Sequence, residues 1–184
     1  MTSSVAAFEG QIARDSWNGH ASRVVPNTNR VLDIFAGRGV RGTFFVLGWV
    51  ARRYPELVRR IVADGHELAS HGYDHTRVIY MDAARFREDV TRTKAILEDA
   101  GGVAVRGYRA PSYSINASNL WALDVLQETG HAYSSSIYPI RHDLYGMPEA
   151  PRFAFRVRPG AIMEIPVTTV RVSGRNLPAG GGGG

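Results

Sequence analysis

Residues 43–75 read TFFVLGWVARRYPELVRRIVADGHELASHGYDH, and their pattern sets the fold class. Residues 43–47 are apolar and aromatic, which is typical of a strand buried on both faces. Pro55 begins an amphipathic helix that runs to Asp64, since proline in the first turn loses no hydrogen bond. Gly65 ends this helix, and residues 66–70 predict a second strand. A strand, a helix and a second strand indicate a βαβ unit and a parallel sheet.

The same alternation continues on both sides of this unit. A helix is predicted over residues 23–38, and a longer one runs from an Asp82 cap through Ala100, where two glycines stop it. The later predicted elements are a strand over residues 103–108, a helix over 118–130, a strand over 132–138, a loop over 139–159 and a strand over 162–170. The chain is therefore predicted to be an α/β protein, with functional side chains at the carboxyl ends of its strands.

Composition excludes several kinds of site and partner. The 184 residues contain no cysteine, so a metal ion must be held by nitrogen and oxygen ligands. The net charge is +5, but the arginines are dispersed along the chain and alternate with no aromatic run, so no nucleic-acid partner is expected. No apolar run approaches the ~20 residues of a membrane span, and no signal-peptide pattern is present. We therefore expect no transmembrane segment and, by default, a cytoplasmic location.

Two histidines, His71 and His75, follow the second predicted strand. Neutral imidazole suits zinc, cobalt or nickel, and this spacing brings the two rings together if the chain turns helically after the strand. Ser70 and Asp74 could then hold the second ring nitrogens. Two capping or surface histidines are the alternative, because a catalytic metal usually takes three ligands from the protein.

The segment Arg109-Ala110-Pro111-Ser112-Tyr113 follows another predicted strand end. Arginine can fix a carboxylate through paired hydrogen bonds. Pro111 sets its own φ and restrains the residue before it, so the chain leaves the strand sharply. This exit would aim the backbone N–H of Ser112, with Tyr113 as a second candidate, into the site as an oxyanion donor. An ordinary turn with an exposed arginine is the alternative.

Flat aromatic rings suit the apolar faces of sugars, and four such residues could line a carbohydrate groove: Trp49, Tyr73, Tyr113 and Trp121. Packing in the core or at its rim is the alternative for each of them. The glycine-rich terminal segment, residues 180–184, lacks the lysine and the serine or threonine of a phosphate loop, so it predicts no nucleotide site.

Three motifs, taken together, carry a resemblance that runs from about Ala7 to Gly182. They are TFFV at residues 43–46, GHELASHGYDH at 65–75 and RAPSY at 109–113. In this order and spacing the chain resembles the polysaccharide deacetylases, the NodB-homology group of carbohydrate esterases. The segment YPIRHDLYG at residues 138–146 resembles the branch found in exopolysaccharide and exosortase-linked gene clusters.

The resemblance implies a single, partial catalytic domain over residues 1–184, built as a distorted (β/α) barrel. It also implies metal-dependent removal of N-acetyl or O-acetyl groups from an acetylated polysaccharide or oligosaccharide. His71 and His75 would be ligands of a divalent metal ion, zinc before cobalt or nickel. Arg109 would orient the catalytic carboxylate, and the amide after Pro111 would help stabilise the oxyanion. The substrate-binding residues would be Tyr73, Tyr113 and Trp49, and Ser112 and Tyr113 would complete the catalytic segment.

The chain also departs from the family pattern at three places. The family's aspartate-rich first motif, which supplies the general base and a third metal ligand, would precede Val5, and the histidine acting as general acid would follow Gly184. Ser134 stands where this branch carries aspartate. We therefore expect a barrel truncated at both ends, with its first and last strands missing and its activity in doubt. A noncatalytic carbohydrate-binding remnant is the alternative, and a hydrolase using Glu9 or Asp15 as a replacement ligand is a third reading.

Overall fold

A five-stranded parallel sheet forms the centre of the protein in the computed structural model, which describes residues 22–142 and 145–179. Each strand pairs in parallel with the next one along the chain, so the sheet grows in sequence order without reversal. The strands are β1 (Thr43–Val46), β2 (Glu67–Ser70), β3 (Gly107–Tyr108), β4 (Tyr133–Ser134) and β5 (Met163–Glu164). The predicted α/β class with a parallel sheet is confirmed. Glu9, Asp15 and the terminal glycines lie outside the described residues.

Helices connect the strands of this sheet. In the described ranges they are α1 (Val24–Ala36), α2 (Gly48–Arg53), α3 (Pro55–Ala63), α4 (Ala83–Gly101) and α5 (Trp121–Glu128). Single 3₁₀ turns cover Val78–Tyr80 and Pro111–Tyr113. None of the described helices is long and apolar enough to cross a membrane. The sequence predicted α1, α3, α4 and α5 but missed α2, whose six residues are too few to show a helical period.

The long helix α4 begins and ends where the sequence predicts. The Asp82 carboxylate accepts a hydrogen bond from the Arg85 backbone N–H at 2.8 Å, which is the usual N-cap contact. Gly102 ends the helix in the left-handed conformation, with φ at +65°. Its buried face consists of Phe86, Val90, Thr93 and Leu97, which pack between the sheet and the neighbouring helices.

Strands β3 and β4 are shorter than predicted because side chains take the backbone groups that would otherwise extend them. The Glu98 carboxylate accepts the Val105 N–H at 2.9 Å, and the Lys94 ammonium donates to the Val105 carbonyl at 3.0 Å. The predictions over residues 103–108 and 132–138 were therefore too long, and only two residues of each pair in the sheet.

The strand predicted over residues 162–170 is divided into two separate elements. Pro166 lies inside this range and has no N–H to donate to a ladder. After it the chain forms a β hairpin of β6 (Thr169–Val172) and β7 (Arg175–Pro178), which pair antiparallel outside the main sheet. Strand β1 also differs from the prediction of burial on both faces, since Thr43 is exposed and the other three residues are half-buried.

Candidate functional site

His71 and Arg109 lie side by side, at the carboxyl ends of two adjacent strands. Ser70 pairs with Tyr108 in the sheet register, so the residue that follows each strand leaves at the same edge. The Arg109 N–H donates to the Ser70 carbonyl at 2.9 Å and extends this pairing by one step. Two of the predicted site segments therefore meet at the edge where parallel sheets carry their functional groups.

The rings of His71 and His75 meet edge to face in a loop that is not helical. Their centroids are 5.1 Å apart and their planes meet at 68°. Two residues of this loop have left-handed backbone angles: φ is +73° at Gly72 and +66° at His75. The predicted pairing of the rings is present, but the predicted helical turn was wrong.

Asp89 of α4 holds this loop in place. Its carboxylate accepts the Tyr73 backbone N–H at 3.2 Å, and a Cβ placed on Gly72 would lie 3.0 Å from the same carboxylate. Burial raises the pKa of Asp89 from 3.8 to about 6, against the opposing effect of the Tyr73 amide. The loop therefore needs a glycine at position 72 and an acceptor at position 89.

The tautomer of His71 follows from its partner. Its Nδ1 lies 2.7 Å from the Arg109 carbonyl oxygen, which can only accept, so Nδ1 carries the proton. Burial, reinforced by the neighbouring His75, lowers the pKa of His71 to about 3. The ring is therefore neutral at neutral pH, with its Nε2 lone pair available for a ligand.

The hydrogen-bond partner of the second ring nitrogen of His71 is not the one predicted. The Arg109 carbonyl takes the place that Ser70 was expected to fill. The Asp74 carboxylate accepts from the Thr76 backbone N–H at 3.2 Å and from its hydroxyl at 2.6 Å. The support of His71 comes from the next strand, which the local sequence does not indicate.

The donor set of this pair fits a metal ion that prefers imidazole. His71 is fixed as a neutral ligand by a hydrogen bond on its other nitrogen, the arrangement that metal-bound histidines usually have. Within residues 22–142 and 145–179, no cluster of three or more histidine, aspartate or glutamate side chains is found. The described residues therefore bring together two candidate nitrogen ligands, His71 and His75.

The Arg109 guanidinium is half-buried and has fixed neighbours. It donates to the Ser135 carbonyl at 2.9 Å and to the Ser135 hydroxyl at 2.7 Å, and it lies 4.2 Å from the ring centre of Phe45. Burial lowers the pKa of Arg109, but the group stays a cation at any physiological pH. A fixed positive charge therefore lies next to the histidine pair.

The turn after Arg109 is strained. Ser112 and Tyr113 both adopt left-handed backbone angles, with φ at +51° and +50°, which favour glycine. The Tyr113 N–H donates to the Ala110 carbonyl at 3.1 Å and closes the turn. Of the two amides suggested as oxyanion donors, that of Ser112 is the one left for this role, directly after Pro111. The Ser112 hydroxyl is buried, with no hydrogen-bond partner in the described part of the chain.

Glu164 of β5 is a buried residue that the sequence analysis missed. Its carboxylate accepts the backbone N–H groups of Ser136 and Ile137, each at 2.8 Å. The Ser136 hydroxyl accepts a hydrogen bond from the Ala110 N–H at 2.9 Å. The Ser134 hydroxyl donates to the Ser136 hydroxyl at 2.8 Å. The chain from β4 is thus held beneath the Arg109 turn. A lone carboxylate within the apolar run AIMEIP was the only sequence signal.

The four predicted aromatic residues have different surroundings. The Trp49 N–H donates to the Tyr73 carbonyl at 2.9 Å, and the Tyr73 ring lies 3.7 Å beneath the Arg92 guanidinium. Tyr113 packs edge-on against two other tyrosines, with ring centres 5.2 and 5.8 Å away. Trp121 packs against Phe86 at 5.8 Å, which fits the core alternative.

Two family models match the chain. The polysaccharide deacetylase model covers residues 17–133, and a model of a domain of unknown function (DUF3473) covers residues 135–184. The chain is 33% identical over 144 residues to a chitooligosaccharide deacetylase of Bradyrhizobium, covering 75% of this chain and 63% of that protein. It is 32% identical over 98 residues to a peptidoglycan-N-acetylglucosamine deacetylase of Bacillus cereus, covering 53% of this chain and 36% of that protein.

A solved structure of a Mycobacterium smegmatis protein classed as a polysaccharide deacetylase matches with a TM-score of 0.64 and 35% sequence identity. The match covers 77% of this chain and 45% of that one. The chain thus spans from 36% to 63% of the length of these two curated relatives.

Proposed function

The chain belongs to the polysaccharide deacetylase family, and on that premise we propose that it carries a metal-dependent site for hydrolysing acetyl groups on a polysaccharide. The observation that carries this proposal is the geometry of His71. Its Nδ1–H donates to the Arg109 carbonyl, and its ring contacts the His75 ring edge to face. A hydrogen bond of this kind orients an imidazole and makes it a stronger ligand. The proposed ligands of a divalent metal ion are therefore His71 and His75.

Each neighbouring residue has a proposed part in the reaction. Zinc, with cobalt or nickel as substitutes, would supply Lewis-acid polarisation of the acetyl carbonyl. The Ser112 backbone N–H would donate to the oxygen as negative charge develops on it, because Pro111 aims the turn toward the site. The Arg109 guanidinium, fixed by Ser135, would hold a catalytic carboxylate in position.

The proposed substrate is a glycan that contains N-acetylglucosamine, since the relatives named above are deacetylases of chitooligosaccharide and peptidoglycan. O-linked acetyl groups are a second substrate class for the same chemistry. Tyr73, Tyr113 and Trp49 would contact the sugar rings beside the reacting group. Tyr113 is the best placed of the three, because it lies 6.0 Å from the Arg109 guanidinium.

The test is acetate release from chitopentaose by the 184-residue chain loaded with zinc or cobalt. We expect His71→Ala and His75→Ala to abolish stoichiometric metal binding and to remove whatever acetate release the unmodified chain shows. His142→Ala is the matched control, because this histidine is exposed and stacks on Tyr145. It should leave both readouts unchanged.

Two results would count against the proposal. Acetate release that survives both histidine substitutions would place the chemistry elsewhere in the chain. Binding of chitopentaose that is indifferent to chelator and to His71→Ala, without any acetate release, would favour the noncatalytic carbohydrate-binding alternative.

A further inference from the structure

Four arginines that are dispersed in the sequence lie along one cavity, whose lining contains neither His71 nor His75. The cavity has a volume of about 960 Å³ and lies between the loop after β4 and the hairpin formed by β6 and β7. Its lining includes four arginines, Arg141, Arg152, Arg171 and Arg175, and one carboxylate, Glu149. The lining therefore carries a net charge of +3, counted as four positive charges less one negative charge.

One of these arginines has a structural role. The Arg152 guanidinium donates to the Thr169 hydroxyl at 3.0 Å and to the Thr169 carbonyl at 2.7 Å, so it fastens the loop to the hairpin. The Asn176 side chain donates to the Pro139 carbonyl at 2.9 Å and fastens the other wall. Hydrogen bonds therefore hold together the loop after β4 and the hairpin, which form the walls of the cavity.

Two other arginines are free to bind a ligand. Arg171 and Arg175 are exposed, on either side of the tight hairpin turn. Their backbones pair in the hairpin, and their side chains make no hydrogen bond or ion pair with the described residues. Guanidinium groups bind carboxylates through paired, planar hydrogen bonds. Phe153 also lines the cavity and is 78% exposed, so it offers a flat apolar face next to the charges. An aromatic face beside guanidinium groups suits a sugar ring that carries a carboxylate.

One wall of the cavity packs against the tyrosines that follow the Arg109 turn. Ile140 lines the cavity and packs in one apolar cluster with Tyr138 and Val167, against which Tyr113 also packs. Tyr113 in turn follows the Arg109 turn directly. The wall of the cavity and the Arg109 turn are therefore in contact through one packed cluster of side chains.

We propose that this cavity is a subsite for an acidic saccharide unit of the polymer, with Arg171 and Arg175 binding its carboxylate and Phe153 contacting its ring. The proposal rests on the proposed function only in taking the ligand to be a glycan. It adds a specificity that the histidine site does not provide, namely a preference for polymers in which acidic units accompany the acetylated ones.

The test is the affinity of the full chain for a galacturonic acid pentamer, measured by calorimetry in the presence of a chelator. The Arg171→Gln/Arg175→Gln variant should bind this probe at least about tenfold more weakly, because it loses two charge-assisted contacts. The control is Arg52→Gln/Arg59→Gln, which removes the same charge from two exposed helical positions and should change the affinity less than about twofold. Phe153→Ala should weaken binding without altering its salt dependence.

Several results would overturn this proposal. The first is that the unmodified chain shows no measurable binding of the pentamer. The second is that both double variants weaken binding equally. The third is that a single-stranded oligodeoxynucleotide of the same charge binds equally tightly and also depends on Arg171 and Arg175. Because these affinities are measured without metal and without a reaction, they do not depend on acetate release. Failure of the proposed function would leave the cavity result standing, and the reverse also holds.

Discussion

Replacing Glu164 by alanine removes the acceptor that holds the end of β4 beneath Arg109. The carboxylate is fully buried and accepts the Ser136 and Ile137 N–H groups at 2.8 Å each. Alanine leaves both amides without this acceptor. The segment that they belong to includes Ser135, which binds the Arg109 guanidinium through its carbonyl and its hydroxyl. The substitution therefore tests whether one carboxylate supports this part of the site.

The expected loss of stability follows from the two orphaned amides. Each buried donor left without a partner costs about 1–3 kcal/mol, so the pair costs roughly 2–6 kcal/mol. We expect the lower half of that range, because alanine also removes a buried carboxylate whose desolvation destabilises the fold. Glu164→Gln keeps an oxygen that accepts both amides, and it should stay within about 1 kcal/mol of the unmodified chain.

The assay is urea unfolding of the three proteins, followed by circular dichroism at several pH values. Burial raises the pKa of Glu164, against the lowering effects of the Ser134 hydroxyl and the two amides. The folded state therefore holds the proton more tightly than the unfolded state. The contribution of Glu164 to the free energy of unfolding is full below the unfolded pKa and declines as the pH rises through the folded one. Glu164→Gln should remove this decline. An alanine variant as stable as the glutamine variant would show that the Ser136 and Ile137 amides do not need the Glu164 acceptor.

Three further substitutions test separate features of the fold by urea or thermal unfolding. Asp89→Asn should stabilise the chain at pH 7.5 by up to about 3 kcal/mol, because burial raises the pKa of Asp89 from 3.8 to about 6; this gain should disappear below about pH 4. Ser112→Gly should stabilise the chain by about 1 kcal/mol by relieving its left-handed φ, and a fall in stability would contradict the strain argument. Gly107→Ala should destabilise it by roughly 1–3 kcal/mol, since the new Cβ would lie 2.3 Å from the Tyr133 ring; the loss should largely vanish in a Tyr133→Ala background.

The parts of the fold that the sequence predicts are those specified by nearby residues. Helix α4 has its cap, its apolar face and its terminal glycine within one continuous stretch. The strand lengths are not specified in this way. Glu98 shortens β3, and Glu164 occupies the amides after β4 from a position 27 and 28 residues away. Such side-chain contacts depend on the packed structure and leave no periodic signal in the sequence.

In the candidate site, too, the features that nearby residues specify are predicted, and those that depend on distant contacts are not. The spacing of His71 and His75 predicts that the rings meet, and the position of Arg109 at a strand end is as predicted. The hydrogen bond that fixes the His71 tautomer comes from a carbonyl 38 residues away and follows from the register of β2 against β3. The sequence also does not predict the arginine cavity, because its lining combines a loop and a hairpin that are separated along the chain.

The most direct test of the central claim is the ¹⁵N NMR spectrum of the histidine side chains during a zinc titration of the full chain. We expect His71 to bind zinc through Nε2 while Nδ1 keeps its proton on the Arg109 carbonyl, and the His75 signals to shift at the same stoichiometry. The His142 signals should not change. Zinc that binds without shifting the His71 signals, or that binds His71 through Nδ1, would rule out the proposed metal site.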